Sequence, residues 1–324
     1  MAISNDYLVY SERGYGMDHD RYEWSMIPDR KPLIWPEEAR VAVCVMVALE
    51  FFPLDQPAVP FKAPGGMVTP YPDLRHYTLR DYGNRIGFFR ILKVLDDLAI
   101  RPTVAFNAAV AERYPRLIDE VNRREGEIVA YGIDMGRLHH GGLARDEEVA
   151  MVRQSANSLR QASGQKITGW WSPARSESMN TLDLVAAEGI EYVCDWTNDD
   201  LPYVLHTDHG PIHSMPISHD MDDQSIILGH HQSEEEFVTQ VGDAFNVHYA
   251  ESETRGGRIF TLTIHPWISG QPHRIQALRT ALTHVMGFEG VWSARAGDIL
   301  AAGRPGPTRW LRQRYRTVEP GRRR

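Results

Sequence analysis

The chain has 324 residues, of which 42% are hydrophobic and 24% charged, and its 35 Lys and Arg against 43 Asp and Glu give a net charge of −8. These values are typical of a globular protein with a large core, and they exclude a disordered chain or a fibrous repeat. No stretch approaches the roughly 18 apolar residues of a membrane span, and the polar start lacks the apolar core of a signal peptide, so we expect a cytoplasmic protein without a membrane partner.

The first 38 residues differ in composition from the rest of the chain. They contain Tyr22, Trp24 and Trp35, which makes them too aromatic for a free tail. We therefore predict an arm over 1–38 that packs on the main domain or on a neighbouring subunit.

From residue 39 onward, short β-rich runs alternate with longer amphipathic stretches, as expected for a βα repeat. The first run, VAVCVMVALE, is almost continuously apolar and predicts a strand buried on both faces of a parallel sheet. The predicted strands cover 40–50, 101–107, 127–132, 166–172, 190–195, 212–217, 258–265 and 290–292. The predicted helices cover 84–98, 114–124, 145–162, 181–188, 233–249 and 273–285. This alternation predicts a single α/β domain over 39–303, an irregular (β/α) barrel of about seven to eight strands.

The segment 51–81 is rich in Pro, Gly and Tyr and too long for a simple connector, so we predict a lid in which Tyr71, Arg75 and His76 contact a ligand. No glycine-rich phosphate motif follows any strand, so a nucleotide cofactor is not expected. The only two cysteines, Cys44 and Cys194, lie within apolar runs and are predicted to be reduced core residues.

The last 21 residues, 304–324, carry eight Arg and one Glu, a net charge of +7 that leaves −15 on the rest of the chain. Trp310, Leu311 and Tyr315 interrupt the basic residues, as packing residues would. We therefore predict a strap over the acidic body or a neighbouring subunit, and no nucleic-acid partner.

In a βα barrel the reacting groups collect at the carboxyl ends of the strands. Glu50 ends the first predicted strand and is a candidate base for water, or a carboxylate that only caps a loop. Arg175 is a candidate to stabilise an oxyanion, or to form an ion pair with Asp195 or Asp199. His265 ends the seventh strand and is either a proton donor or a core histidine. The adjacent pair His139 and His140 is by itself a weak metal signal.

Five segments make the chain resemble the polysaccharide deacetylase superfamily (NodB homology, carbohydrate esterase 4-like), and within it the PuuE-type allantoinase branch. They are DYGNRIGFFRIL (81–92), VAFNAAVAERYP (104–115), GWWSPARSESMNT (169–181), VCDWTNDDLPY (193–203) and IHPWISGQPHR (264–274). The resemblance spans residues 40–303 and implies a deformed barrel of the NodB type.

Metal-dependent members of this superfamily are expected to carry paired aspartates after strand one and an H-x-x-x-H motif after strand three. Glu50 and Phe51 stand at the first pair, and Tyr131 and Met135 stand at the two histidine positions. Neither Phe nor Met is an ordinary ligand for a hard or borderline cation. The resemblance therefore implies no metal and no cofactor; zinc or another divalent ion held by His139 or His140 is the fallback.

The catalytic residues implied by the resemblance are Glu50, Arg175, Asp195 and His265. It implies a metal-independent hydrolase of non-peptide C–N bonds, acting on a small cyclic amide or ureide of the allantoin type. In this hypothesis Glu50 activates water, His265 protonates the leaving nitrogen and Arg175 stabilises negative charge. The predicted substrate-binding residues are Tyr131, Trp196, Asn198, Asp199, Asp200, Tyr203, Trp267, Gln271 and His273.

Three alternatives stay open. The loop after Asp195 is either part of the substrate pocket or a packed loop with Asx turns. The protein is either the metal-free hydrolase, a metal-dependent deacetylase with relocated histidines, or a non-catalytic homologue that binds a ligand. The resemblance also implies a homo-oligomer, a dimer or a tetramer, in addition to the small-molecule substrate.

Overall fold

A nine-stranded, mostly parallel sheet forms the centre of the computed structural model, which describes residues 19–56, 61–62 and 68–303. Its strands are β1 (Val41–Leu49), β4 (Thr103–Phe106), β5 (Glu127–Ala130), β6 (Gly169–Trp170), β7 (Tyr192–Val193), β8 (Tyr203–Leu205), β9 (Ile212–Ser214), β10 (Arg258–Ile264) and β11 (Val291–Ser293). Their order is β10-β1-β4-β5-β6-β7-β9-β8, with β11 also on β1, and the short strands β2 (Phe61–Lys62) and β3 (Val68–Thr69) form a separate hairpin.

The apolar run of β1 explains its central position. All nine of its residues are buried, and alternate side chains belong to two different apolar clusters. Val43 and Val45 pack with the helices, whereas Cys44 and Met46 pack inside the curled sheet. Because both faces are covered, an uninterrupted apolar run is required where an exposed strand would alternate. Burial also raises the pKa of the Cys44 thiol to about 12, consistent with a reduced core cysteine.

Helices pack against the sheet, most of them on its outside, and the last described helix belongs to the apolar cluster inside it. They are α1 (Leu74–Tyr82), α2 (Phe88–Asp97), α3 (Ala108–Arg113), α4 (Pro115–Asn122), α5 (Arg145–Ser163), α6 (Thr181–Ala187), α7 (Glu234–Arg255), α8 (Pro266–Ser269), α9 (Ile275–Met286) and α10 (Ala296–Gly303). A π-helical turn, Gly83–Gly87, joins α1 to α2. None of the described helices is long and apolar enough to cross a membrane.

The sheet curls into an irregular barrel that closes incompletely. All strand pairs in it are parallel except β8 with β9, and β8 is the last strand on that side. Between β9 and β10 the described residues form one isolated parallel bridge, Asp222 with Thr263. We call this gap the seam. The prediction of an irregular (β/α) barrel is confirmed, and each of the eight predicted strands overlaps an observed one.

Helix α1 and strand β8 are among the elements that the sequence prediction does not contain. The segment predicted as a long loop contains helix α1, because the Asp73 side chain accepts a hydrogen bond from the Arg75 backbone and caps the helix start. The predicted strands also omit β8, which pairs antiparallel with β9 from within the loop after β7.

Within the predicted arm, the described residues contact the barrel. Trp35 is 2% exposed and its Nε1 donates to the Arg258 carbonyl at 2.9 Å, while Arg21 forms an ion pair with Asp183 at 2.9 Å. The limits of the three predicted parts stay a prediction, and the basic tail lies outside the described residues.

Candidate active site

Glu50 follows β1 and lies buried at the carboxyl end of the sheet. Its Oε2 accepts a hydrogen bond from Trp267 Nε1 at 3.1 Å, and its Oε1 accepts one from the Tyr131 hydroxyl at 3.4 Å. Its backbone carbonyl accepts from Asn84 Nδ2 at 3.0 Å. Backbone and side chain are therefore both held, and the carboxylate has a fixed direction.

His265 follows β10 and faces Glu50. Its Nε2 lies 3.9 Å from Glu50 Oε1, while its Nδ1 lies 2.7 Å from Asp223 Oδ1. Burial alone would lower the pKa of His265, but the carboxylates of Asp223 and Glu50 outweigh it and raise the pKa to about 9. The imidazole is therefore protonated at neutral pH and presents an acidic N–H at Nε2 towards Glu50.

Asp223 orients this histidine. Besides Nδ1, its oxygens accept hydrogen bonds from the His265 backbone N at 3.0 Å and from the Ser269 hydroxyl at 2.6 Å. These three donors hold the carboxylate in place, and the carboxylate in turn fixes the plane of the His265 ring. The sequence analysis missed Asp223, because it lies in a stretch without strand or helix character, 42 residues before its partner.

Trp267 is held in place by a close backbone contact. It lies in α8, and the backbone of the π-helical turn before α2 is in close contact with that helix. A Cβ added to Gly87 would lie 2.0 Å from the Pro266 carbonyl oxygen, and one added to Gly83 would lie 2.7 Å from the Trp267 backbone N. Only glycine permits this approach, which aims the indole N–H at Glu50.

Arg80, on α1, is a further charged group beside this pair. Its guanidinium carbon lies 4.2 Å from the ring centroid of Phe52 and 4.6 Å from that of Trp267. Its Nη1 lies 3.1 Å from His76 Nδ1, and burial together with Arg80 lowers the pKa of His76 to about 4. Burial lowers the pKa of Arg80 itself, and the negative charge of Glu50 offsets part of this decrease. A neutral histidine and two aromatic faces thus hold a cation near the Glu50 carboxylate.

Tyr131 follows β5 and is buried with its ring stacked on Trp171, 4.4 Å between centroids. Burial and the Glu50 charge raise the pKa of Tyr131 well above its ordinary value. The phenol is therefore a neutral hydrogen-bond donor to Glu50 rather than an anionic ligand.

A second group of acids lies after β6 and β7. The Asp195 carboxylate accepts from the Ser172 backbone N at 2.7 Å and from its hydroxyl at 3.2 Å. Burial raises the pKa of Asp195. The neighbouring Glu177 accepts a hydrogen bond from Trp196 Nε1 at 2.7 Å, and burial together with the Asp195 charge raises the pKa of Glu177. The two neighbouring carboxyls therefore share a proton more readily than two isolated acids would. The sequence analysis missed Glu177.

Arg175 bridges two chain segments. Its Nη1 donates to the Cys194 carbonyl at 3.0 Å and its Nη2 to the Ser218 carbonyl at 3.1 Å. Within the described part of the chain it forms no ion pair with Asp195 or Asp199. Asp199 instead accepts two hydrogen bonds from Arg30, both at 2.6 Å.

The loop predicted to bind substrate contacts the arm. Asn198 Nδ2 donates to the Tyr22 hydroxyl at 3.0 Å, and the Tyr203 hydroxyl donates to Asn198 Oδ1 at 2.6 Å. Tyr22 also packs edge-on against Trp196, 5.6 Å between centroids. Asp199 accepts from the Leu201 backbone N at 3.0 Å, which is an Asx turn. These contacts favour the packed-loop alternative.

The other predicted binding residues lie in three separate segments. Asp200 and His273 are exposed, and Gln271 Nε2 donates to the Trp267 carbonyl at 3.2 Å. In the predicted lid, the rings of Tyr71 and His76 lie 5.1 Å apart, and Arg75 pairs with Asp73. Residues 57–60 and 63–67 of that segment lie outside the described residues.

The positions at which metal-dependent relatives are expected to bind a cation do not fit one here. The Phe51 ring lies 4.1 Å from the Arg113 guanidinium, Met135 packs on the inner apolar cluster, and Tyr131 is a neutral phenol. None of these side chains is an ordinary ligand for zinc or magnesium.

The fallback histidines have other partners. His139 Nδ1 lies 3.0 Å from Glu148 Oε1, and His140 Nδ1 accepts from the Gly142 backbone N. Among the described residues, one group of three possible ligands lies within 4.8 Å of one another: Asp222, Asp223 and His265.

Comparisons with known proteins agree with the fold. No protein-family model matches the chain. A Schizosaccharomyces pombe protein provisionally named a polysaccharide deacetylase is 24% identical over 301 residues, which cover 83% of this chain and 91% of that protein. The crystal structure of a PuuE allantoinase is similar at a TM-score of 0.78 and 25% identity, over 91% of this chain and 97% of its own. A Pseudomonas aeruginosa PAO1 structure, described as that of a probable polysaccharide deacetylase, is similar at 0.74 and 24%, over 89% and 95%. The resemblance to this superfamily of hydrolases is confirmed.

Proposed function

We propose that the protein hydrolyses a non-peptide C–N bond of a cyclic amide or ureide without a metal, with Glu50 as general base and His265 as general acid. One observation carries the proposal: a carboxylate fixed by Trp267 and Tyr131 faces a protonated imidazole that Asp223 orients. A base and an acid side by side are what water addition to an amide requires.

The reaction follows from this arrangement. Glu50 takes a proton from water while the water oxygen bonds to the ring carbonyl carbon, giving a tetrahedral oxyanion. The C–N bond then breaks as the electron pair moves to nitrogen, which takes the proton from His265 Nε2. Glu50 then passes its proton to His265, which restores both residues, and the carboxylic acid formed at the former ring carbonyl loses its proton to the solvent as the product leaves as a carboxylate.

Negative charge on the oxyanion needs a cation near Glu50. We assign this role to Arg80, which packs on the Trp267 ring, rather than to Arg175, whose Nη1 and Nη2 both donate to backbone carbonyls. Arg175 and Asp195 are then positioning residues, which hold the backbone segments at the carboxyl ends of β6 and β7 in place.

The substrate class follows from the base. Without a metal to lower the pKa of water, Glu50 alone must activate it, so the carbonyl has to be reactive. An electron-poor ring such as a hydantoin, an imide or allantoin meets this condition better than a sugar acetamide. The similarity to the crystal structure of an allantoinase supports the same class.

A metal-dependent hydrolase is the second candidate. It is favoured by the convergence of Asp222, Asp223 and His265, whose possible ligand atoms lie within 4.8 Å. In that case Asp223 would ligate a cation instead of accepting from His265 and Ser269.

Elemental analysis of the purified protein, together with hydrolysis assays on allantoin, hydantoin, succinimide and an N-acetylglucosamine oligomer with and without chelator, separates the two. We expect ring opening that resists chelation in protein without stoichiometric metal. Stoichiometric metal with chelator-sensitive turnover would establish the second candidate, and release of acetate from the oligomer alone would refute the proposed substrate class.

A further inference from the structure

A cavity of about 200 Å³ lies at the start of β10, between the arm and the end of α7. Its polar lining is Arg30, Lys31, Thr254, Arg255 and Arg258, and the remaining lining is apolar. We call it the basic pocket. We propose that it binds a phosphate group, either free phosphate or the phosphate of a small ester.

Arg258 is the central observation. It is 1% exposed, and its Nε donates to Glu251 Oε2 at 3.1 Å. Its Nη2 is buried and has no hydrogen-bond partner within the described ranges 19–56, 61–62 and 68–303. A buried guanidinium N–H without an acceptor is unfavourable, and Arg258 lines the basic pocket, so an anion bound there could supply an acceptor oxygen to its guanidinium.

The charge of the basic pocket points to an anion. Arg30 is paired with Asp199 and Arg258 with Glu251, whereas Lys31 and Arg255 form no ion pair in the part of the chain that the structure describes. Two positive charges are thus left over. The carbonyl end of α7 adds a partial negative charge of only about half a unit, so the pocket stays positive.

The size and the donor chemistry of the basic pocket suit a phosphate group. The volume corresponds to about seven water molecules at roughly 30 Å³ each, which accommodates a phosphate and part of an organic group. Guanidinium groups bind phosphate oxygens in pairs, and an ammonium and a hydroxyl beside them supply further donors.

The basic pocket is separate from the candidate active site. Arg258 begins β10 and His265 follows its end, so the seven residues of that strand, at about 3.3 Å each, put roughly 23 Å between them. Binding there neither requires nor tests the hydrolase proposal, and it should persist in a Glu50→Gln variant.

Isothermal titration calorimetry with inorganic phosphate tests the proposal on the full chain, with chloride at matched ionic strength as reference. We expect one phosphate per chain and a melting temperature that rises with phosphate concentration. The double variant Lys31→Gln, Arg255→Gln removes two exposed charges, so the chain still folds, and its phosphate affinity should fall at least about tenfold. Arg258→Met should abolish binding.

The matched control is Arg153→Gln. Arg153 lies on α5, is 61% exposed and forms an ion pair with Glu188, the residue that follows α6. The control variant should bind phosphate like the unmodified protein. Glycerol phosphate distinguishes the source: tighter binding than inorganic phosphate identifies an ester, and equal or weaker binding identifies free phosphate. Phosphate that binds no better than chloride, or that binds the double variant and the control equally, would overturn the proposal.

Discussion

The two sides of the barrel mouth use the same residue types for different purposes. On the β1–β10 side, Glu50 and His265 face each other, and their hydrogen bonds fix direction without joining the two groups. On the β6–β7 side, Asp195 and Arg175 bond mainly to backbone groups of neighbouring segments. A polar residue at a strand end is therefore available for chemistry only if its hydrogen-bonding groups are not already bonded to the protein backbone.

The largest effect is expected from removing the base. Glu50→Gln keeps an acceptor for Trp267 but cannot take a proton, so kcat/KM should fall about 1,000-fold. Asp195→Asn keeps an acceptor for Ser172 and should lose about tenfold or less. Steady-state kinetics on the ring substrate compares the two sides directly; equal losses would make both sides reactive and break the distinction.

Asp223→Asn sharpens the comparison through pH. Turnover should fall about 100-fold because the histidine loses its orienting carboxylate. His265 acts while protonated, so activity in the unmodified protein should decline as pH rises through about 9. The Asp223 carboxylate holds that pKa up, so the variant's decline should begin at lower pH. A pH–rate profile whose basic limb does not move would remove His265 from the role of acid.

Arg80→Met keeps the packing against Phe52 and Trp267 but removes the charge. We expect kcat to fall about tenfold with little change in KM, since the charge acts on the oxyanion rather than on bound substrate. Arg80→Lys serves as the control and should recover part of the loss. A rise in KM alone would place Arg80 in substrate binding instead.

The smallest effect is expected on the β6–β7 side, where the arm packs. Tyr22→Ala removes the ring on Trp196 and Tyr203 and should lower the free energy of unfolding by about 1–2 kcal/mol. Tyr22→Phe, which removes only the hydroxyl bonded to Asn198, should cost less. Denaturant unfolding and kinetics on the folded fraction measure both. A large loss of turnover would instead support the prediction that this loop binds substrate.

The sequence predicts the barrel and its two central residues because both depend on local pattern. Apolar runs locate the strands, and Glu50 and His265 stand directly after two of them. No local pattern points to Asp223 or Arg80, because their partners His265 and Trp267 are distant along the chain. Arg80 also lies on helix α1, in a segment with the composition of a loop.

The loop after β7 shows the second limit. The side chains of Asn198, Asp199 and Tyr203 suit a ligand and an arm equally well, so their type alone does not decide between them. The cytoplasmic location and the dimer or tetramer stay predictions, as do the roles assigned to the tail.

On heating, we expect the barrel to open first at the seam. Among the described residues one isolated backbone bridge, Asp222 with Thr263, joins the segment after β9 to β10, and the residue after Asp222 is the carboxylate that holds His265. A barrel opens first where the fewest backbone hydrogen bonds hold it together. We therefore expect local opening at the seam to part the acid from its orienting group while the helices and the β1 core remain folded, so that thermal inactivation should precede global unfolding and reverse when the bridge re-forms.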